Sequence, residues 1–134
     1  MKVKLLDRKE SVKEIKKLIY YAKKELVLIS PYVDISIDYM EEIIFCRAKE
    51  KALVYRDNQF IKDYSFLKAN DFRLFKVKDL HSKIYLNENW VIFSSMNLYN
   101  YSMENNFESS VMIKREDIED TSLITDILKK AKEC

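Results

Sequence analysis

Residues 79–97 read DLHSKIYLNENWVIFSSMN, two short apolar runs around a polar turn. HSKIYL (81–86) and WVIFS (90–94) flank Asn87-Glu88-Asn89, residue types that tolerate the left-handed backbone a tight loop needs. The stretch predicts an antiparallel hairpin. Residues two apart on a strand share a face, so His81, Lys83 and Tyr85 are expected on one side and Ser82, Ile84 and Leu86 on the other. Ile84 and Leu86 suit a core. His81, the only histidine in 134 residues, then falls with Lys83 on the opposite face, about 7 Å away at a strand rise of ~3.3 Å per residue. A lysine there is costly to bury unmatched, so this face is expected to be a cleft or surface that receives an anion such as phosphate. The second strand ends in Ser94, Ser95 and Asn97, short groups able to donate to phosphate oxygens.

On either side of the hairpin the periodicity alternates between helix and strand. Val12, Ile15, Leu18, Ile19 and Ala22 predict an amphipathic helix over 10–24, capped by Ser11 or begun slightly earlier, and LVLIS (26–30) a buried strand ended by Pro31. A helix over 36–49, through Ile37, Met40, Ile43, Ile44 and Ala48, precedes the strand ALVY (52–55). Such a strand, helix, strand unit makes parallel neighbours. A short helix over 58–68, strands over 72–77 and 109–113, and a closing helix over 119–132 complete a mixed-sheet α/β domain spanning 1–134 as one unit.

Composition excludes more than it selects. Apolar residues make up 48% and charged residues 34%, a globular balance, and a net charge of +2 does not by itself identify a polyanion partner. The first 25 residues carry nine Lys/Arg against four acids, which reads as a solvated helix face or as a phosphate-facing stripe. No apolar run has the length of a membrane span and the start has no apolar secretory core, so a cytoplasmic protein with no membrane partner is expected. Cys46 and Cys134 lack metal spacing and are expected as free thiols. The absence of glycine removes every glycine-rich phosphate loop, and one histidine rules out a histidine-rich zinc site.

The order His81-Ser82-Lys83, Glu88, Ser94-Ser95-Met96-Asn97, Asn106-Phe107-Glu108 resembles the phospholipase D superfamily pattern: His-x-Lys, a carboxylate, Gly-Ser-x-Asn and a later Asn-x-Glu. It departs from that pattern with Glu88 for the usual Asp, Ser94 for the usual Gly, and one residue fewer between Glu88 and the serine pair. Glu88 reads either as the motif carboxylate or as a turn residue. The resemblance implies a phospholipase D-like half whose active site is completed in a homodimer, as in the small nucleases of that superfamily. It further implies phosphodiester cleavage of DNA or RNA without metal or other cofactor, through a phosphohistidine on His81. His81 of the second protomer would protonate the leaving oxygen. Lys83, Asn97 and Ser95 would hold the phosphoryl oxygens, and Glu108 would orient the imidazole. A two-histidine mechanism in a chain with one histidine requires a dimer.

Ser94, Tyr32 and Tyr99 are further candidate substrate contacts, Tyr32 because Ser30-Pro31-Tyr32 follows a strand whose end borders the expected cleft. Tyr99, Tyr101 and Phe107 could stack on bases or pack against the dimer or the core. The competing reading is a catalytically silent module that binds nucleic acid or dimerises, using Lys83 and the basic first helix. A carboxylate and magnesium site has only the match Glu14-Ile15-Lys16, on a helix rather than a strand. Phospholipid hydrolysis lacks a membrane-binding amphipathic segment with exposed aromatics.

Overall fold

The computed structural model describes residues 1–35, 38–59, 61–98 and 106–134. Among them, eight strands form one sheet in the order β1-β7-β6-β5-β2-β3-β4-β8. The strands are β1 (Val3–Leu6), β2 (Glu25–Ile29), β3 (Glu50–Arg56), β4 (Arg73–Val77), β5 (Ile84–Asn87), β6 (Trp90–Ser94), β7 (Ser110–Lys114) and β8 (Lys132–Glu133). The β2-β3 and β3-β4 pairs are parallel and the remaining pairs antiparallel, so the sheet is mixed, as predicted. The helices are α1 (Arg8–Tyr21), α2 (Met40–Phe45), α3 (Tyr64–Ala69) and α4 (Ser122–Lys130).

The apolar run of β2 is continuous because both faces of the sheet are covered. Leu26 and Leu28 join the larger core under α1, α2 and α3, while Val27 and Ile29 join a second core with Ile84, Leu86 and Val91, against which Ile124, Ile127 and Leu128 of α4 pack. Each such fully buried side chain contributes about 1.5–3 kcal/mol. This arrangement corrects the expected open face of the hairpin: Tyr85 is fully buried in the larger core. Ile84 and Leu86 do face a core, but so does the residue between them.

Several element ends differ from the pattern-based expectation. α1 starts earlier than Ser11, at a capping box in which Asp7 accepts from Glu10 N–H and Glu10 returns the bond to Asp7 N–H. The helix expected over 36–49 is Met40–Phe45 in the structure, with 36 and 37 outside the described residues. It stops because Lys49 and Glu50 direct their N–H groups to the Lys23 and Lys24 carbonyls, where β3 joins the sheet. α3 starts only at Tyr64, since Asp63 commits its carboxylate to Ile35 N–H at 2.9 Å instead of capping the helix. α4 ends at Lys130, and Lys132–Glu133 pairs with β4 as an eighth strand; this short strand and β1 were absent from the pattern reading. Cys46 and Cys134 are free thiols, as expected.

Two turns take backbone conformations that usually select glycine. Asp71 has φ 67° and Asp79 φ 56°, and a short polar side chain tolerates this region better than most. Asp79 stands two residues before His81.

Candidate active site

One edge of the sheet collects the predicted residues. The antiparallel register Ile29↔Ile84, Ile84↔Phe93 and Ser94↔Ser110 sets the end of β2, the start of β5, the end of β6 and the start of β7 side by side. His81 and Lys83 therefore enter beside Ser94, Ser95 and Asn97, with Ser30-Pro31-Tyr32 on one flank and Glu108 on the other. Paired strand β5 begins at Ile84 rather than at His81, although Ser94 N–H still bonds Lys83 O at 3.1 Å. His81 is exposed, Lys83 is half-buried, and the Lys83 ammonium lies 3.5 Å from the His81 carbonyl oxygen.

Ser95 and Glu108 form a second group across the β6-β7 edge. The Ser95 hydroxyl donates to the Glu108 carboxylate and accepts from Ser109 N–H at 3.0 Å, while Ser95 N–H donates to Ser109 O at 3.0 Å. Glu108, expected to hold the His81 ring, has one carboxylate oxygen on the Ser95 hydroxyl. Asn97 accepts from Tyr32 N–H through its side-chain oxygen at 3.3 Å, which fixes the orientation of the amide. Leu98 N–H bonds the Ser30 hydroxyl and Asp34 N–H bonds Leu98 O, so the loop after β6 is stitched to the loop after β2.

Ser94, expected to meet substrate, has its oxygen engaged within the protein. It accepts from Met96 N–H at 2.9 Å and from the Ser110 hydroxyl at 2.8 Å, and Ser110 in turn accepts from the buried Ser11 hydroxyl at 2.7 Å. Beneath this edge lies Tyr85, whose hydroxyl donates to Met96 O at 2.6 Å. Burial pushes its phenol well above the ordinary tyrosine value, against a lowering contact from Ser30, and the nearby Glu108 charge adds to the rise. Tyr85 is thus a neutral hydrogen-bond donor that ties the floor to the loop.

Glu88 is remote from this edge, at the tip of the hairpin. Its carboxylate accepts from the backbone N–H groups of Lys23, Lys24 and Glu25 at 3.0–3.3 Å, joining the hairpin to the turn between α1 and β2. Partial burial works to raise its pKa, but the backbone donors outweigh it and hold the carboxyl below the usual range. Of its two readings the structural one describes these contacts.

Pattern reading missed Arg56, at the end of β3, whose guanidinium donates to the Tyr32 hydroxyl at 3.2 Å. The signal was available, because ligands of open α/β sheets bind beyond the carboxyl ends of parallel strands. Arg8 and Lys9 were also missed as site neighbours: with Asp7, Asn106, Phe107 and Glu108 they line a shallow cavity of about 270 Å³. Phe107 is fully exposed there and packs on nothing in the core. Tyr99 and Tyr101 lie outside the described residues. Among the described residues, no three His, Cys, Asp or Glu side chains gather in a set that could hold a metal ion.

No protein-family model matches the chain, and no curated protein matches it. Solved structures do resemble it. Nuc from Salmonella typhimurium, a phospholipase D family member, superposes with a TM-score of 0.79 at 15% identity, covering 99% of this chain and 97% of Nuc. NucT from Helicobacter pylori gives 0.80 at 15% identity, covering 97% of each chain. TrmBL2, an archaeal chromatin protein described with a novel mode of DNA binding, gives 0.67 at 17% identity, covering 100% of this chain and 54% of TrmBL2. The chain therefore has the phospholipase D fold. The match spans nearly the whole of this chain, of Nuc and of NucT.

Proposed function

We propose that this protein is a metal-independent phosphodiesterase that cleaves DNA or RNA through a phosphohistidine intermediate, in an active site completed by a second copy of the chain. The observation that carries the reading is the meeting of His81, Lys83, Ser95 and Asn97 at one sheet edge, on the fold shared with a phospholipase D family member. The His81 ring attacks phosphorus and displaces the leaving alkoxide. His81 of the partner subunit gives that oxygen its proton, then takes one from water as the water breaks the phosphorus–nitrogen bond. Lys83, the Asn97 NH2 and Ser95 neutralise and orient the phosphoryl oxygens. Phe107 and Lys9 offer a stacking face and a cation beside Glu108, suited to a polynucleotide.

A second reading is a catalytically silent module that binds nucleic acid. It is favoured by the Glu108–Ser95 bond, which engages the carboxylate expected to orient His81, and by the likeness to a DNA-binding chromatin protein. Cleavage of labelled DNA and RNA in EDTA separates the two. Wild type is expected to cut and to trap a covalent phosphate on His81, while His81→Ala loses activity by about two to four orders of magnitude. Equal rates in both would refute the enzymatic reading, and salt-sensitive binding without turnover would establish the silent one.

A further inference from the structure

Strand β3 ends in a cation that the chain does not neutralise. The guanidinium of Arg73 carries the Glu133 carboxylate, and that of Arg115 carries the Glu25 carboxylate. Arg56 is half-buried, and among the described residues its guanidinium forms no ion pair. Its side-chain hydrogen bond goes to a neutral group, the Tyr32 hydroxyl, at 3.2 Å. A guanidinium has several N–H donors, and holding one partly out of water without an anion is costly. The fork suits an anion arriving from outside, a carboxylate or a phosphate held by two parallel N–H bonds.

Position decides between these anions. Parallel strands β2 and β3 end together, with Ser30 N–H donating to Val54 O at 3.0 Å and Arg56 N–H to Pro31 O at 3.2 Å. Tyr32 links that end to the His81 edge: its N–H donates to the Asn97 side-chain oxygen at 3.3 Å, and its hydroxyl accepts from Arg56. Arg56 and Asn97 are therefore separated by no more than one tyrosine with a hydrogen bond at either end. The Ser30 hydroxyl donates to Tyr32 O at 2.6 Å and accepts from Leu98 N–H at 2.9 Å, so this spacing is held by the backbone on both sides. A nucleic-acid strand places a negative charge every few ångströms. A strand with one phosphate at Asn97 has another within reach of Arg56, whereas an isolated phosphodiester has none.

We propose that Arg56 grips a second phosphate of the substrate strand, flanking the one at His81 and Lys83, and so makes the site selective for polynucleotides over isolated phosphodiesters. This deepens the phosphodiesterase reading and rests on it for the place of the scissile phosphate.

The test measures binding and cleavage with the full chain. Affinity for a labelled single-stranded oligonucleotide is followed by fluorescence anisotropy across a salt series, with every variant checked for folding by circular dichroism. Arg56→Gln keeps an N–H donor for Tyr32 but no charge. It is expected to bind about tenfold more weakly, with a slope of log affinity against log salt shallower by about 0.7. Arg56→Lys keeps the charge and is expected to keep the slope. Lys49→Gln, an equal loss of charge just before the opposite end of β3, is expected to keep it too. In cleavage, the ratio of kcat/KM on the oligonucleotide to kcat/KM on a dinucleoside monophosphate is expected to fall about tenfold in Arg56→Gln. The proposal is overturned if Arg56→Gln binds like wild type, if it loses equally on both substrates, or if wild type binds no oligonucleotide. It is also overturned if Arg56→Lys or Lys49→Gln flattens the slope as much as Arg56→Gln does. If Arg56→Gln unfolds, wild type decides: its affinity for single strands lengthened one nucleotide at a time is expected to jump about tenfold at one added phosphate, and an even climb refutes the second grip. A wild type that binds through Arg56 without cutting would sink the catalytic reading alone and leave the second phosphate contact standing.

Discussion

The Glu88 carboxylate takes three successive backbone N–H groups that would otherwise be left to water. Because its folded pKa is depressed, its stabilisation is present above the pKa of the unfolded chain and is lost as pH falls through the folded value. Glu88→Gln is expected to lower stability by about 1 kcal/mol at neutral pH, a modest figure because solvent screens the site. In melts at successively lower pH, the gap from wild type should close across the acidic carboxylate range. Catalysis should survive the change, since Glu88 is remote from the His81 edge. Tyr39 presents the opposite case: it is fully buried, and its hydroxyl finds no hydrogen-bond partner among the described residues. Tyr39→Phe removes that unsatisfied group and is expected to raise stability by up to about 1 kcal/mol; a lower melting temperature would contradict it.

At the scale of elements, three hydroxyls join α1 to the sheet edge. Ser11 on α1 donates to Ser110 on β7, which donates to Ser94 on β6, which in turn holds Met96 N–H in the loop that carries Asn97. This chain accounts for a serine where the superfamily pattern has glycine: the Ser94 side chain turns inward to order the loop. Ser110→Ala interrupts it in the middle, leaving the buried Ser11 hydroxyl without its acceptor and Ser94 with Met96 N–H as its remaining donor. The expected cost is about 2 kcal/mol by chemical denaturation, with a fall in turnover from the displaced Ser95 and Asn97. Unchanged stability would show that the chain orders nothing.

For the whole molecule, the decisive property is that each chain has one histidine while the proposed chemistry uses two. Specific activity is therefore expected to fall on dilution as the dimer dissociates, with the oligomeric state followed by sedimentation on the same samples. Mixing wild type with excess His81→Ala should depress activity more than simple dilution does, because mixed dimers hold one imidazole. Activity strictly proportional to the wild-type chain across these mixtures would place a complete site in one protomer.

Much of the fold was legible because local patterns report burial. The run LVLI reads as a buried strand, Asn87-Glu88-Asn89 as a turn between two apolar runs, and the spacing of His81, Lys83, Ser95 and Asn97 put them at neighbouring strand ends. Strand β8 was not legible: it has two exposed residues, and it pairs only because α4 delivers them to the free edge of β4. Nor was the burial of Tyr85, since alternation says which residues share a face but not whether that face is covered. By itself the sequence determined the order of the helices and of the strands from β2 to β7, the hairpin and the collection of polar groups at its open end, all of which follow from residue spacing along the chain. Only the tertiary structure decided that Glu108 takes Ser95, that Ser94 turns inward and that Glu88 anchors a distant turn. A hydrogen bond goes to the donor or acceptor that folding brings within about 3 Å, and that proximity is set by sheet register rather than by distance in sequence.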